Sequence, residues 1–214
     1  MPALRKMALD EMQRALPPEF SSVEAKQWLQ GRYRAPLKVL GALERSGELV
    51  RLKRGLYGFR RGFEPLAAAA SLHGASYVSF ETALAYYGLI PERVATIMSV
   101  VDGRPAVFET SVGRFEYHSQ ARSLFAKGMS LVFLGDRPCP MANCEKALLD
   151  TLARHKLRAA VLEPAELLSF ALGGLRIDEE RLATLSIRKL RRLAKQYRNW
   201  APRRLVEALE RQRR

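Results

Sequence analysis

The sequence predicts an α+β protein, on three observations. Helical periodicity followed by a short hairpin fills residues 1–62, four short β-type segments lie between residues 96 and 134, and the remainder reads as helix punctuated by Gly and Pro. These imply a division into 1–62, 63–155 and 156–214, the second part a small mixed domain with an antiparallel sheet and the third a basic, all-helical C-terminal tail packed on it. With 48% hydrophobic and 27% charged residues in a chain of 214, a packed core is expected rather than a disordered chain.

Charge sharpens the division. The net charge is +14, but residues 1–62 carry +7, residues 63–150 carry −2 and residues 151–214 carry +9, so two basic regions flank a neutral body. An excess of this size attracts polyanions, and its partition favours two separate basic surfaces over a uniformly coated RNA-binding protein. No apolar run approaches the roughly 18 residues of a membrane span, and the charged amphipathic N-terminus is unlike a secretory signal, so a cytoplasmic protein without membrane partners is expected. Cys139 and Cys144 lie close together while His73, His118 and His155 are scattered, which gives neither a disulfide framework nor a zinc spacing. No metal and no cofactor are expected.

Taken in order, Leu4–Leu16 has helical spacing and is stopped by Pro17-Pro18. Ser21 and Glu24 form a capping box for a second helix, whose Val23, Trp28 and Leu29 are expected to face inward. A third helix begins near Ala35-Pro36, with Leu37, Leu40 and Leu43 spaced toward a core, and Gly47 closes it. At about 100° per residue, Arg34, Lys38 and Arg45 fall together on another side of that helix. Leu49–Leu52 then alternates as a strand, Lys53-Arg54-Gly55 turns, and Leu56–Phe59 returns.

Three helices followed by a cationic hairpin spell a winged helix-turn-helix. A helix fits the major groove, where Arg and Lys donate to guanine, and a hairpin beside it lays cations along phosphates. The candidate DNA-binding residues are Arg32, Arg34, Lys38 and Arg45 around the third helix, with Arg51, Lys53 and Arg54 on the wing.

The second part opens with Glu64-Pro65 and an alanine-rich helix to Leu72, followed by a helix capped by Ser79 and running through Tyr87. Glu81 stands in its first turn, where a carboxylate complements the helix dipole. The β signals Thr96–Val101, Ala106–Thr110, Arg114–His118 and Ser130–Leu134 imply a meander of mostly antiparallel strands, covered on one face by these two helices. Pro140 ends extended chain, Asn143 caps, and Ala147, Leu148, Leu149 and Leu152 supply the buried side of a helix on which Glu145, Lys146 and Asp150 stay charged. Glu145 and Asp150 diverge by about 140° around that helix, so a shared acid–base site is disfavoured and a surface or inter-domain role preferred.

The tail reads as helices over Pro164–Leu172, Asp178–Leu185, Ile187–Asn199 and Pro202–Arg213. In the third, Leu190, Leu193, Ala194 and Tyr197 form the buried stripe and Arg188, Lys189, Arg191, Arg192 and Lys195 form an arc of further candidate nucleic-acid contacts. Phosphate-binding glycine loops, GxSxG and HExxH are all absent from the sequence.

The succession GELVRLKRGLYGF, SYVSFETALAYYGLIP, VGRFEYH and ANCEKALLDTL resembles the AbiEi-type antitoxins, also known as transcriptional regulators of bacterial viral defence. The resemblance spans about 20–154, and SFETALAYYGL with EKALLD is its more specific part. It implies an N-terminal winged helix that binds inverted repeats in its own promoter, and a second domain that counters a nucleotidyltransferase-like toxin. It implies no enzymatic site. Glu145, Lys146 and Asp150 are then candidates for the antitoxin or partner surface. A regulator with a ligand- or partner-sensing second domain and no toxin is the alternative.

Overall fold

The computed structural model describes residues 2–92, 94–125, 127–155 and 163–213. The expected boundary between second part and tail, at 155/156, falls against residues outside this set.

The N-terminal unit contains α1 (Pro2–Ala15), β1 (Glu19–Ser21), α2 (Ser22–Leu29), α3 (Pro36–Arg45), β2 (Leu49–Lys53) and β3 (Leu56–Phe59). The capping box forms as its spacing predicts: Ser21 Oγ accepts from Glu24 N at 3.1 Å and Glu24 Oε2 accepts from Ser21 N at 2.7 Å. Pro36 occupies the first turn of α3, and Gly47 follows its end at φ +76°, a conformation that suits glycine. β3 pairs antiparallel with β1 and β2, and Lys53 faces Leu56 across the two-residue turn Arg54-Gly55. Met12, Phe20, Ala25, Leu29, Leu40, Leu43, Leu49, Tyr57 and Phe59 make the core of this unit. Two inward expectations are corrected: Val23 and Leu37 are 60% and 59% exposed, because Ala25, Leu29, Leu40 and Leu43 already fill the narrow space between α2, α3 and the sheet.

The second unit holds α4 (Pro65–Leu72), β4 (Ser76–Val78), α5 (Phe80–Tyr86), β5 (Thr96–Val101), β6 (Ala106–Thr110), β7 (Gly113–Ser119), β8 (Met129–Leu134), β9 (Arg137–Ala142) and α6 (Cys144–Arg154). Its six strands run in the order β6-β7-β5-β4-β9-β8. The sheet is mixed, correcting the antiparallel meander: β5 and β7 are parallel, as are β4 and β9. β7 folds back on β6 and inserts between β6 and β5, which leaves it parallel to β5. β9, with Pro138 and Pro140, was not expected as a strand.

Both faces of the sheet are covered, where one was expected. Neighbouring side chains on a strand point to opposite faces. On β7, Tyr117 OH donates to Ala69 O of α4, whereas the ring of His118 meets that of Phe80 on α5 at 5.1 Å. Thr82 of α5 replaces a missing ladder partner: its hydroxyl donates to Thr96 O and accepts from Met98 N, at 3.0 and 2.9 Å, where β5 runs on past the end of β4.

After α6 come α7 (Pro164–Ser169), a π-helical turn (Phe170–Gly174), α8 (Glu179–Thr184), α9 (Ile187–Ala194) and α10 (Ala201–Gln212). α9 ends earlier than its pattern implied, and Tyr197 lies beyond it. Apolar residues of these helices, among them Leu167, Leu182, Leu190 and Leu205, join those of β4–β9 in one buried cluster. Val50 and Leu52 of β2 belong to that cluster too, so the hairpin leans on the second unit. An ion pair crosses the same junction, with Arg137 Nη2 2.5 Å from Glu19 Oε2 and both side chains largely buried. No helix among the described residues is long and apolar enough to cross a membrane.

Candidate nucleic-acid interface and the buried network of the second unit

α3 is amphipathic because Leu40 and Leu43 recur at helical spacing, and the opposite side carries what they leave out. Arg34, Leu37, Lys38 and Arg45 are exposed there, as is Arg54 at the hairpin tip. Arg45 reaches back along the helix toward Gly41, so that a Cβ added at Gly41 would sit 3.4 Å from its guanidinium.

Three of the expected cations are engaged within the fold. Arg32 donates to Trp28 O at 2.6 Å and stacks 4.5 Å from the Trp28 ring centroid. Arg51 lies 3.9 Å from Glu44, a half-exposed pair of small energetic consequence. Lys53 is a correction to the free wing tip: its Nζ donates to Leu72 O at 2.6 Å and lies 5.7 Å from the Phe108 ring centroid. It satisfies a carbonyl at the C-terminus of α4, where helix ends favour cations.

On α9, burial of Leu190, Leu193 and Ala194 turns Arg188, Lys189, Arg191, Arg192 and Lys195 toward solvent. Arg191 pairs with Glu210 at 2.7 Å and Lys189 lies 3.7 Å from Glu145. Arg188, Arg192 and Lys195 make no ion pair with the described residues. This arc belongs to the second unit, whereas the α3 and hairpin cations belong to the first.

Burial corrects the exposed partner surface expected on α6 and leaves the inter-domain role, since Glu145, Lys146 and Asp150 bond residues of the C-terminal part. Glu145, Lys146 and Asp150 are 6%, 0% and 1% exposed. α6 starts with Asn143 accepting from Lys146 N at 2.9 Å, and it is enclosed by α5, α9 and α10, so even its charged positions lie inside. The divergence around the helix holds, but both directions lead inward. Glu145 accepts from Ser186 N at 3.3 Å at the start of α9, while Asp150 turns toward a polar network.

In that network Lys146 Nζ donates to Asp150 Oδ1, Gln120 Oε1 and Tyr197 OH at 2.7, 2.8 and 3.0 Å, which uses its three hydrogens. Asp150 Oδ1 also accepts from Tyr197 OH at 2.5 Å and Gln120 Nε2 at 2.6 Å, and Oδ2 accepts from Ser79 Oγ at 2.7 Å. Tyr77 OH completes the set by donating to Gln120 Oε1 at 3.0 Å. Gly128, at φ +78°, lets the loop before β8 pass between α6 and α9, since a Cβ there would meet Lys146 Cβ and Leu193 at 3.1 Å. Burial holds the Lys146 ammonium below its usual pKa despite the opposing charge of Asp150. Burial, reinforced by Asp150, raises the Tyr77 and Tyr197 hydroxyls.

Sequence reasoning missed Tyr77 and Gln120, placed Tyr197 in a buried stripe without its polar partners, and read Ser79 as a helix cap. Ser79 does precede α5, but its hydroxyl bonds Asp150 and makes no cap bond. The i, i+4 spacing of Lys146 and Asp150 was the available signal, and it does not by itself distinguish a buried pair from a solvated one.

Beside the network an open cleft of about 440 Å³ is lined by Phe80, His118, Arg154 and Arg198, with Asp150, Gln120 and Tyr197 reaching its wall. Phe80 has φ +55°, an unusual conformation for a bulky residue, at the sharp turn from β4 into α5. Glu81, next in the chain, pairs with Arg154 at 2.5 Å. Burial pushes the Glu81 carboxyl up, but the His155 ring 3.5 Å away, the backbone, and the charge and hydrogen bond of Arg154 leave it below the usual range. A second open cleft, about 590 Å³, combines Ile90, Val94 and Met98 with Glu81, His155 and Arg176. Among the described residues no group of three or more His, Cys, Asp or Glu is arranged to hold a metal ion.

The segments SFETALAYYGL and EKALLD thus meet in space, joined by Ser79 to Asp150 and by Glu81 to Arg154. No protein-family model matches the chain, and no curated protein matches it significantly.

Proposed function

We propose that this chain is a DNA-binding transcriptional autorepressor and antitoxin of a phage-defence toxin–antitoxin system, with a nucleotidyltransferase-like toxin as its protein partner. In this reading the N-terminal unit is a winged helix-turn-helix, α3 its recognition helix and β2–β3 its wing. The observation that carries it is the exposed side of α3, where Arg34, Lys38 and Arg45 fall on one stripe with Leu37 at its margin, together with the exposed Arg54 at the hairpin tip. Guanidinium and ammonium groups donate to guanine or phosphate, and an apolar side chain among them suits a thymine methyl.

The antitoxin half rests on the resemblance of SFETALAYYGL and EKALLD, whose residues pack together around one buried network. With Lys146 and Asp150 committed to that network, a toxin would bind a surface that α5 and α6 support from beneath, rather than those two residues themselves. A closed apolar pocket would favour the ligand-sensing form of the alternative; the two clefts described above open to solvent.

The test is titration of the full chain with duplex DNA from its own promoter, followed by fluorescence anisotropy. If about six cations engage phosphates, affinity falls on the order of 10³-fold between 50 and 200 mM salt. Replacing Arg34, Lys38 and Arg54 with Ala together removes binding at moderate salt while protection of cells from the toxin persists. Salt-independent binding, or unaltered binding by the triple variant, defeats the DNA half. Failure to protect against a toxin encoded alongside it defeats the antitoxin half.

A further inference from the structure

The two edges of the six-stranded sheet are treated differently. β6 carries Glu109, paired with Arg114, and lies against β2 with Lys53 over Phe108. Charge and a covering element are ordinary protections of a sheet edge. β8, Met129–Leu134, has neither among the described residues: its six residues contain no charge and no proline, and its ladder with β9 runs without a bulge. Leu131 and Phe133 on this strand are 53% and 65% exposed.

The backbone of these two residues is also unpartnered among the described residues. Leu134 and Arg137 close a two-residue turn, so they exchange hydrogen bonds across the hairpin, and alternation gives the same to Val132 and Ser130. Leu131 and Phe133 face Pro140 and Pro138, which is where the ladder needs no proline N–H. Their own N–H and C=O groups therefore point away from β9, over the free edge.

We propose that β8 is a self-pairing edge: two copies of this chain join antiparallel at β8 about a twofold axis through Val132. That register sets Leu131 against Phe133 of the second copy, and Phe133 against its Leu131. All four outward amides and carbonyls of the two pairs are satisfied, and two aliphatic–aromatic contacts form on one face. Residues 128–135 carry no charge, so the paired stretch sets no like charges against each other. A chain of net charge +14 repels its copy over most of its surface, and an uncharged strand offers the approach of least repulsion. A strand pair is smaller than a standard interface of about 800 Å² per partner, so the association is weak and concentration-dependent.

Sedimentation equilibrium of the full chain, without DNA, tests this over concentrations from about 1 to about 200 µM, a range suited to a small interface. The mass doubles within that range, and association strengthens with added salt because screening relieves the net repulsion, opposite to the expected salt dependence of DNA binding. Leu131→Lys and Phe133→Lys each keep the chain monomeric with an unchanged melting temperature, since both side chains stand in solvent. Hydrogen exchange on the unaltered protein gives a second readout: amides of 129–134 become protected as concentration rises. A chain monomeric throughout, a dimer that survives both Lys substitutions, or a strand protected only when a different protein is added would each overturn the proposal.

Discussion

Removing the charge of Asp150 while keeping its shape tests the buried network most directly. In Asp150→Asn the ammonium of Lys146, fully enclosed, keeps its positive charge and loses the counter-charge 2.7 Å away. Breaking a buried pair from one side costs about 3–5 kcal/mol, because the remaining charge is uncompensated. With a urea slope of about 2 kcal/mol per molar, the unfolding midpoint falls by roughly 2 M. Adding Lys146→Met removes the stranded charge and restores at least about 2 kcal/mol, so the two changes are strongly non-additive.

The pH dependence has a definite sign. Burial lowers the folded pKa of Lys146, so through the window between that value and the ordinary lysine value the unfolded chain binds more protons. Its contribution to stability therefore rises with pH, the penalty for burying the charge being fully present below the folded pKa. Loss of the Asp150 charge lowers the folded pKa further, so the deficit of Asp150→Asn narrows as pH rises from about 7 to about 9.5, below the ordinary tyrosine range. Urea unfolding across that interval, followed by circular dichroism, measures it. A single variant that loses under 1 kcal/mol, additivity in the double variant, or a deficit that widens with pH would refute the reasoning.

Two further changes probe local devices. Thr82→Val leaves Met98 N–H and Thr96 C=O unpartnered in a buried ladder and should cost about 1–3 kcal/mol in urea unfolding, whereas Thr82→Ser, which keeps the hydroxyl, should cost clearly less. Ser21→Ala removes the capping box of α2 at a cost of about 1 kcal/mol. In that variant the Glu24 carboxyl keeps the backbone N–H of residue 21, the larger cause of its lowered pKa, and loses only the hydroxyl, so by NMR it moves only part of the way back toward its ordinary range.

These devices also mark how far the sequence could be read. The Ser21–Glu24 box, Asn143 as a cap and the Leu49–Phe59 hairpin were legible because each depends on residues a few positions apart. So were β5, β6 and the core of β7, whose bounding turns are local signals. β9 was obscured by Pro138 and Pro140, which break a strand except where the ladder needs no N–H, and that exception is visible only once β8 is in place. Leu37 followed the apolar spacing of α3 yet faces outward, because two leucines suffice to fill the space beneath. The fate of Lys146 was set from a distance: Gln120 and Tyr197, 26 residues before and 51 after it, supply the partners that let a charge be enclosed. Local spacing placed Lys146 and Asp150 on a helix, and only the packing of α9 and α10 over that helix decided what it would touch.

The lean of the hairpin on the second unit bears on how the chain can be dissected. A fragment cut after Gly62 would leave Val50 and Leu52 facing water, deprive Lys53 of its acceptor at Leu72, and leave Glu19 without Arg137. Its lysine, released from that carbonyl, would be a cation free to meet phosphate, and its apolar scar would promote clumping. Both would enter any binding measured on such a piece, so the proposed function of each unit is better read from point substitutions in the whole chain.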